Sequence, residues 1–290
     1  MTQLSADPPE FACPSCGTES VGRYCRHCGE RRLGPDDRSL RHILDSIADL
    51  LTHFDSKGYR SLRYLVTRPG FLSVEQLRGS RVRYAKPLSL FVSINVFYYF
   101  SITLLGANTF TTPLEIQLHQ NNYYSSLANR QVDHRVQAEQ QTFAAFEARY
   151  DERTSVLSKT LIFLFIPIYA VLFFGLFFFR RRYFVEHAVV ATHLWSFILL
   201  LLAIVVPLVA LVSMWWLKAP STAAVLATHD QAVSLFLQAS IALYLVAMLR
   251  RVYVANTWYC AGVALLIGWS FFHIVWLYRF LLFEITLLSL

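Results

Sequence analysis

Residues 188–217 read AVVATHLWSFILLLLAIVVPLVALVSMWWL, thirty consecutive positions without one Asp, Glu, Lys or Arg. A helix needs about 20 apolar residues to cross the hydrocarbon core of a bilayer. The stretch therefore predicts a transmembrane helix with length to spare for tilt, and Pro207 is the expected bend. Residues 87–107, 160–179, 231–249 and 258–278 meet the same requirement. Composition agrees: the 290 residues are 55% hydrophobic and 15% aromatic but only 16% charged, where soluble domains carry roughly 25% charged residues. The expected fold class is an all-α membrane protein with five transmembrane helices. The apolar tail after Arg279 is too short to cross again, and is expected at the interface or as an extension of the last helix.

Basic residues orient this bundle. Of 26 Lys and Arg, 14 precede residue 87, three are Arg180, Arg181 and Arg182, and two are Arg250 and Arg251. The intervening connections are poor in them: residues 108–156 hold four Arg against six acids, and Lys218 is the one basic residue near the turn before 231. Basic loops stay on the cytoplasmic side, which predicts a cytoplasmic N-terminus and an external C-terminus. Trp215 and Trp216 beside Lys218, and Tyr278 beside Arg279, suit the opposite interface. The net charge of +7 is better explained by anionic lipid headgroups than by nucleic acid.

The N-terminal region (residues 1–33) has a different character. Cys13-Pro14-Ser15-Cys16-Gly17 and Cys25-Arg26-His27-Cys28-Gly29 are two short knuckles, each followed by a glycine able to take positive φ. Two C-x-x-C pairs eight residues apart predict a minimal zinc ribbon, with Cys13, Cys16, Cys25 and Cys28 as four thiolate ligands of a structural Zn²⁺. Disulfides are the alternative. Residues 1–10 lack the basic-then-apolar pattern of a signal peptide, which places the thiols in a reducing compartment. Cys260 sits alone in an apolar run and reads as a small buried hydrophobe.

Residues 34–86 join ribbon to bundle. Gly34-Pro35-Asp36-Asp37 reads as a linker. Leu40, Ile43, Leu44, Ile47, Leu50, Leu51 and Phe54 then form an apolar stripe at helical spacing, too polar overall to span. A helix lying in the cytoplasmic interface or docked on the bundle is expected. A second amphipathic piece, 59–67, ends at Pro69-Gly70, and a short helix over 71–78 precedes Gly79. In the lead-in to residue 87, Arg81, Arg83 and Lys86 are candidate headgroup contacts, as are Arg180, Arg181 and Arg182.

The two C-x-x-C-G knuckles, His53-Phe54-Asp55, Thr67-Arg68-Pro69-Gly70 and Gly79-Ser80-Arg81-Val82-Arg83-Tyr84 ahead of Pro87 resemble an uncharacterised bacterial family, domain-of-unknown-function family 3667. Glu186-His187-Ala188-Val189 through His193 and Phe197 is similar to that family's histidine-bearing third span. The resemblance implies a zinc-ribbon multipass protein of a bacterial inner membrane, and it brings no activity, substrate or catalytic residue.

Polar residues inside spans are costly and are candidates for function. They are Asn95, Glu186, His193, Gln238 and His273. Glu186 and His193, seven apart, share a helical face and predict a cytoplasm-facing polar pocket. His273, nearer the outer leaflet, is expected to serve packing. The plainer reading of all five is interhelical hydrogen bonding. In the 108–156 connection, Val132, Val136, Phe143, Phe146 and Tyr150 recur on one helical face, which predicts an amphipathic helix leading toward the second span.

No phosphate loop, G-x-S-x-G elbow, H-E-x-x-H helix or deaminase signature occurs. Three classes of function remain. One is an adaptor or scaffold whose ribbon and interfacial helices bind a cytoplasmic protein partner or lipid. Another is a transporter or channel using the intramembrane His, Glu, Asn and Gln. The last is a membrane-embedded lipid-modifying enzyme.

Overall fold

The computed structural model describes residues 10–30, 56–104, 113–119, 124–216 and 222–290. The linker at 34–37 and the apolar stripe at 40–54 lie outside the described residues, as do Lys218 and residues 105–107 of the first predicted span. Two three-residue strands, β1 (Glu10–Ala12) and β2 (Glu19–Val21), pair antiparallel with Phe11 opposite Ser20. Among the described residues the remaining regular structure is helical: α1 (Ser56–Thr67), α2 (Phe71–Arg78), α3 (Pro87–Leu104), α4 (Leu114–His119), α5 (Ser125–Ala138), α6 (Phe143–Leu161), α7 (Phe165–Leu176), α8 (Phe184–Trp216), α9 (Thr222–Tyr253) and α10 (Thr257–Ser289).

Among the described residues, three helical stretches are long and apolar enough to cross a membrane: Phe184–Val212, Val233–Tyr253 and Thr257–Ser289. A fourth is counted if Phe143–Ser158 and Ile162–Leu176, bent by 46° at their junction, form one span. Pro87–Thr103 is apolar but shorter. The chain is a membrane protein by these helices.

The second predicted span differs from a straight helix in an instructive way. A 3-10 turn at Ile162–Leu164 separates α6 from α7. Pro167 explains it: a proline has no N–H to give and its ring crowds the carbonyl four residues back, so it is tolerated in a first turn and not in a helix interior. The amphipathic helix expected in the 108–156 connection is divided too. Gln140 takes φ 50, and Thr142 restarts the chain as the N-cap of α6 by accepting from the Ala145 N–H. Apolar period carries through residues 132–150, but Glu139-Gln140-Gln141 offers nothing to bury. Val132, Phe146 and Tyr150 are fully buried while Phe143 is exposed. The apolar tail extends α10 to Ser289, and α8 runs through Pro207.

The chain divides into two compact units. One takes the described parts of Met1–Tyr98, Ile166–Val205 and Gln231–Ala264. Its core is aromatic: Tyr169 meets Trp195 edge-on at 5.4 Å, Phe197 stacks on Tyr244 at 3.6 Å and Phe177 on Tyr253 at 3.8 Å. The other takes the described parts of Tyr99–Phe165, Val206–Asp230 and Leu265–Leu290. There α4, α5 and α6 gather Leu114, Ala128, Val132, Phe146 and Tyr150 around Phe283 and Leu287 at the end of α10.

In the first unit α1 turns into α2 at Gly70, whose φ of 75 lies in the left-handed region. A Cβ there would meet the Met248 carbonyl oxygen at 2.8 Å and the Val252 side chain at 3.2 Å. Only a residue without a side chain lets this turn seat on the end of α9. Gly70→Ala is expected to destabilise the protein by about 2 kcal/mol or more, from αL strain plus a backbone clash. Thermal melting in detergent checks this, with Gly262→Ala as a control, since a Cβ at 262 meets nothing within 4 Å.

Candidate functional site

Each cysteine knuckle closes on itself by the same backbone bonds. The Gly17 N–H donates to the Cys13 carbonyl at 2.8 Å, and the Gly29 N–H to the Cys25 carbonyl at 3.0 Å. The Cys13 N–H then reaches the Thr18 carbonyl at 3.0 Å, and the Cys25 N–H the Glu30 carbonyl at 2.8 Å. Gly17 at φ 76 and Gly29 at φ 72 make those reversals possible. The β1–β2 pairing brings the two knuckles together.

All four Sγ atoms lie within 4.8 Å of one another. Cys13 and Cys28 approach to 3.5 Å and Cys16 and Cys25 to 3.6 Å. A disulfide needs a sulfur separation of about 2 Å, and the cysteines are free. Tetrahedral ligation with metal–sulfur bonds of about 2.3 Å would set sulfurs about 3.8 Å apart, close to what the cluster has. Neighbouring hydroxyls favour the thiolate at Cys16 and Cys25, while at Cys28 the Glu30 backbone favours it but burial and the neighbouring sulfurs push the thiol up to about 12. Thr18, through its hydroxyl and then its backbone, lowers Cys16 to about 5. The Ser20 hydroxyl, donating at 3.4 Å, leads the set that lowers Cys25. The four cysteines can hold a metal ion.

The cluster is fastened to the chain ahead of α3. Glu30, next after the second knuckle, is 1% exposed. One of its carboxylate oxygens, Oε2, accepts from the Ser15 hydroxyl and from the backbone N–H groups of Arg81 and Val82, both at 2.9 Å. Ser80 Oγ donates to the Pro14 carbonyl at 3.1 Å. A buried carboxylate must be hydrogen-bonded in this way to be tolerated. Glu30 was not singled out from sequence; one acid directly after C-x-x-C-G gives no periodic signal.

A second polar group lies on α8. His193 is 2% exposed, and its Nδ1 pairs with Ser73 Oγ of α2 at 2.9 Å. Glu186 is half-buried and meets Arg182 at 3.5 Å, one turn away. Glu186 and His193 share no described contact. His187, adjacent to Glu186, is fully buried, with Nδ1 2.7 Å from the Tyr253 hydroxyl and Nε2 without a partner. It was missed because its neighbours carried the seven-residue spacing. Of the other polar residues expected inside spans, Asn95 is half-buried and Gln238 exposed. His273 is exposed beside the Trp269 and Trp276 rings.

The six candidate headgroup residues separate by geometry. Arg83, Lys86 and Arg181 are exposed. Arg81 gives its backbone N–H to Glu30. Arg180 donates to the Val254 carbonyl at 2.9 Å, and Arg182 to the Val252 carbonyl at 2.8 Å. These last two satisfy carbonyls at and just beyond the end of α9, where a helix leaves acceptors unpaired and favours positive charge.

Residues 55–99 match the model of a family described as "Protein of unknown function (DUF3667)", so the family resemblance seen in this region is borne out. No curated protein and no solved structure matches the chain.

Glu30→Ala is expected to free the knuckles from the 79–82 turn while leaving the four thiols clustered. Limited trypsin digestion of the full chain in detergent reads this as cleavage after Arg81 and Arg83 at least tenfold faster than in the wild type. Equal cleavage rates would remove Glu30 from this role.

Proposed function

We propose that this chain is a multipass inner-membrane adaptor or scaffold, with five spans and a cytoplasmic N-terminus, whose cysteine cluster is a structural zinc ribbon. The ribbon presents a surface to a cytoplasmic protein partner, and its helices bind anionic lipid. One observation carries the reading: the ribbon is docked by one side and, among the described residues, uncovered on the other. Glu30 and Ser80 tie it to the lead-in of α3. Arg23, Tyr24, Arg26 and His27, between and within the knuckles, are exposed, Tyr24 by 58%. Tyr and Arg on a rigid support are the side chains that most often anchor protein interfaces.

Zinc suits four thiolates better than a hard cation does. All four positions are taken by protein, so the metal would organise the fold and leave no place for substrate. It would contribute on the order of 10 kcal/mol to folding of the ribbon. The purified protein is expected to carry one zinc per chain and Cys25→Ser to carry none. Equal metal content in the two, or none in either, would end the zinc reading.

The adaptor role is tested with a photo-crosslinking residue at Tyr24 in native membranes. A discrete cross-linked protein, lost when Arg23 and Arg26 are both changed to Glu, is the expected result. Cross-links unaffected by those changes would exclude this face. Reporter fusions after Arg31, within 121–149, after Arg182 and after Leu290 should read inside, outside, inside and outside.

A transport or catalytic reading draws on His187, whose Nε2 is buried and unpartnered. His187→Phe keeps the ring and removes its polar edge. Unchanged folding together with lost cross-membrane proton or solute flux in vesicles would favour that reading over the adaptor.

A further inference from the structure

The family-matched segment contains a basic face that the lead-in residues do not account for. α1 reads Ser-Lys-Gly-Tyr-Arg-Ser-Leu-Arg-Tyr-Leu-Val-Thr and holds no acid. Gly58, Ser61 and Leu65 point inward, and Lys57, Tyr59, Arg60, Arg63 and Val66 are exposed. Tyr59, Arg60, Arg63 and Tyr64 line a cleft of about 300 Å³. Neither Arg60 nor Arg63 makes an ion pair among the described residues.

Three contacts place this helix at the level where apolar helices end. The Ala85 N–H donates to Ser61 Oγ at 2.8 Å, and α3 starts two residues later, at Pro87. Arg251, in the last turn of α9, donates to the Pro69 carbonyl at 2.9 Å. Gly70 lies against the Met248 carbonyl. α1 is thus pinned beside the start of one apolar helix and the basic end of another. Tyr64 is held there between Phe71 at 4.8 Å and Tyr84 at 5.9 Å, which keeps one wall of the cleft fixed.

We propose that Tyr59, Arg60, Arg63 and Tyr64 form a binding site for the phosphate of an anionic phospholipid. This deepens the lipid-binding part of the function proposed above and rests on it. The occupant is a lipid rather than an acidic protein for two reasons. The site borders the ends of the apolar helices, where headgroups lie. Tyr59 and Val66, 69% and 49% exposed, sit on the same face as Arg63 at spacings of three and four. Exposed apolar and aromatic groups interleaved with arginine suit a boundary where acyl chains meet phosphate. Arginine forks also match phosphate oxygens bidentately.

The test uses the full chain in nanodiscs of phosphatidylcholine containing a graded fraction of phosphatidylglycerol, with lipids retained on release counted by native mass spectrometry. The Arg60→Gln/Arg63→Gln variant is expected to need on the order of tenfold more phosphatidylglycerol for equal retention, as removal of two basic contacts to an anionic surface implies. Both side chains are exposed, and an unchanged melting temperature verifies the fold. Arg83→Gln/Lys86→Gln is measured in parallel. If that pair weakens retention and the Arg60/Arg63 pair does not, this site is wrong while lipid binding at the lead-in stands. If neither does, both fail. Millimolar inorganic phosphate displacing the lipid completely would overturn the phospholipid assignment. Cross-linking from position 59 to residues 36–55 of the same chain, in place of lipid, would do so too.

Discussion

A carboxylate removed from water is tolerated only if donors converge on it. Glu30 is such a group, and its donors come from two places in the chain: the Ser15 hydroxyl within the first knuckle and the Arg81 and Val82 N–H groups ahead of α3. The consequences spread outward. Cys28 and Gly29 precede Glu30 directly, so the position of the carboxylate is inherited from the knuckle. Arg81 and Val82 precede Pro87 by a few residues, so the lead-in to α3 is inherited from the carboxylate. Any ion that orders the four thiols therefore also orders the approach to an apolar helix. Loss of that ion would leave Glu30 buried without its frame or hydrated and undocked.

Polar groups elsewhere in the same unit follow a related logic. Ser73 with His193 and Tyr253 with His187 each pair a buried group on one helix with a group on another. In apolar surroundings an unpaired donor or acceptor costs several kcal/mol by transfer scales, so each pair favours one arrangement of helices over a slipped one. Dispersion between apolar side chains has no such register preference. The aromatic stacks of Phe177 on Tyr253 and Phe197 on Tyr244 supply area, and the polar pairs choose which surfaces meet. His187 departs from the pattern, since one of its two nitrogens has no partner.

Fold class was legible because apolar length is a one-dimensional property. The run at 188–217 is long and apolar enough for a membrane helix, and α8 is continuous across its described part, residues 188–216. The knuckles were legible for a similar reason: C-x-x-C-G is local, and its glycines take the positive φ that the spacing requires. What was not legible depends on partners distant in sequence. Glu30 is an ordinary turn residue until Arg81 meets it 51 positions later. Ser73 looks like a polar residue on a short amphipathic helix, and His193, 120 positions away, is what buries it. The break at 139–142 escaped periodicity because the apolar positions on either side of Gln140 stay in phase, while the turn is specified by three polar residues and a Thr N-cap. The six candidate headgroup residues were indistinguishable as charges. Geometry divides them, because Arg180 and Arg182 donate to carbonyls at the end of α9, while Arg83, Lys86 and Arg181 are exposed.

The matched family segment, residues 55–99, is where these lines meet. It holds Ser61, Gly70, Ser73, Ser80, Arg81 and Val82. Through them α1 and α2 are joined to the cysteine knuckles, to α8 and to α9. Most of the partners lie outside the segment: Pro14 and Glu30 before it, His193, Met248 and Arg251 well after. A stretch that is itself only two short helices, a turn and the start of an apolar helix has little core of its own. Its hydrogen bonds to Pro14, Glu30, His193 and Arg251 and its glycine seat on Met248 demand particular small or polar residues at particular positions. Such a segment constrains sequence more tightly than a span does, because many apolar residues can fill a span and only glycine fits against Met248. That difference in physical tolerance accounts for a family match that covers residues 55–99 and none of the long apolar helices α8, α9 and α10.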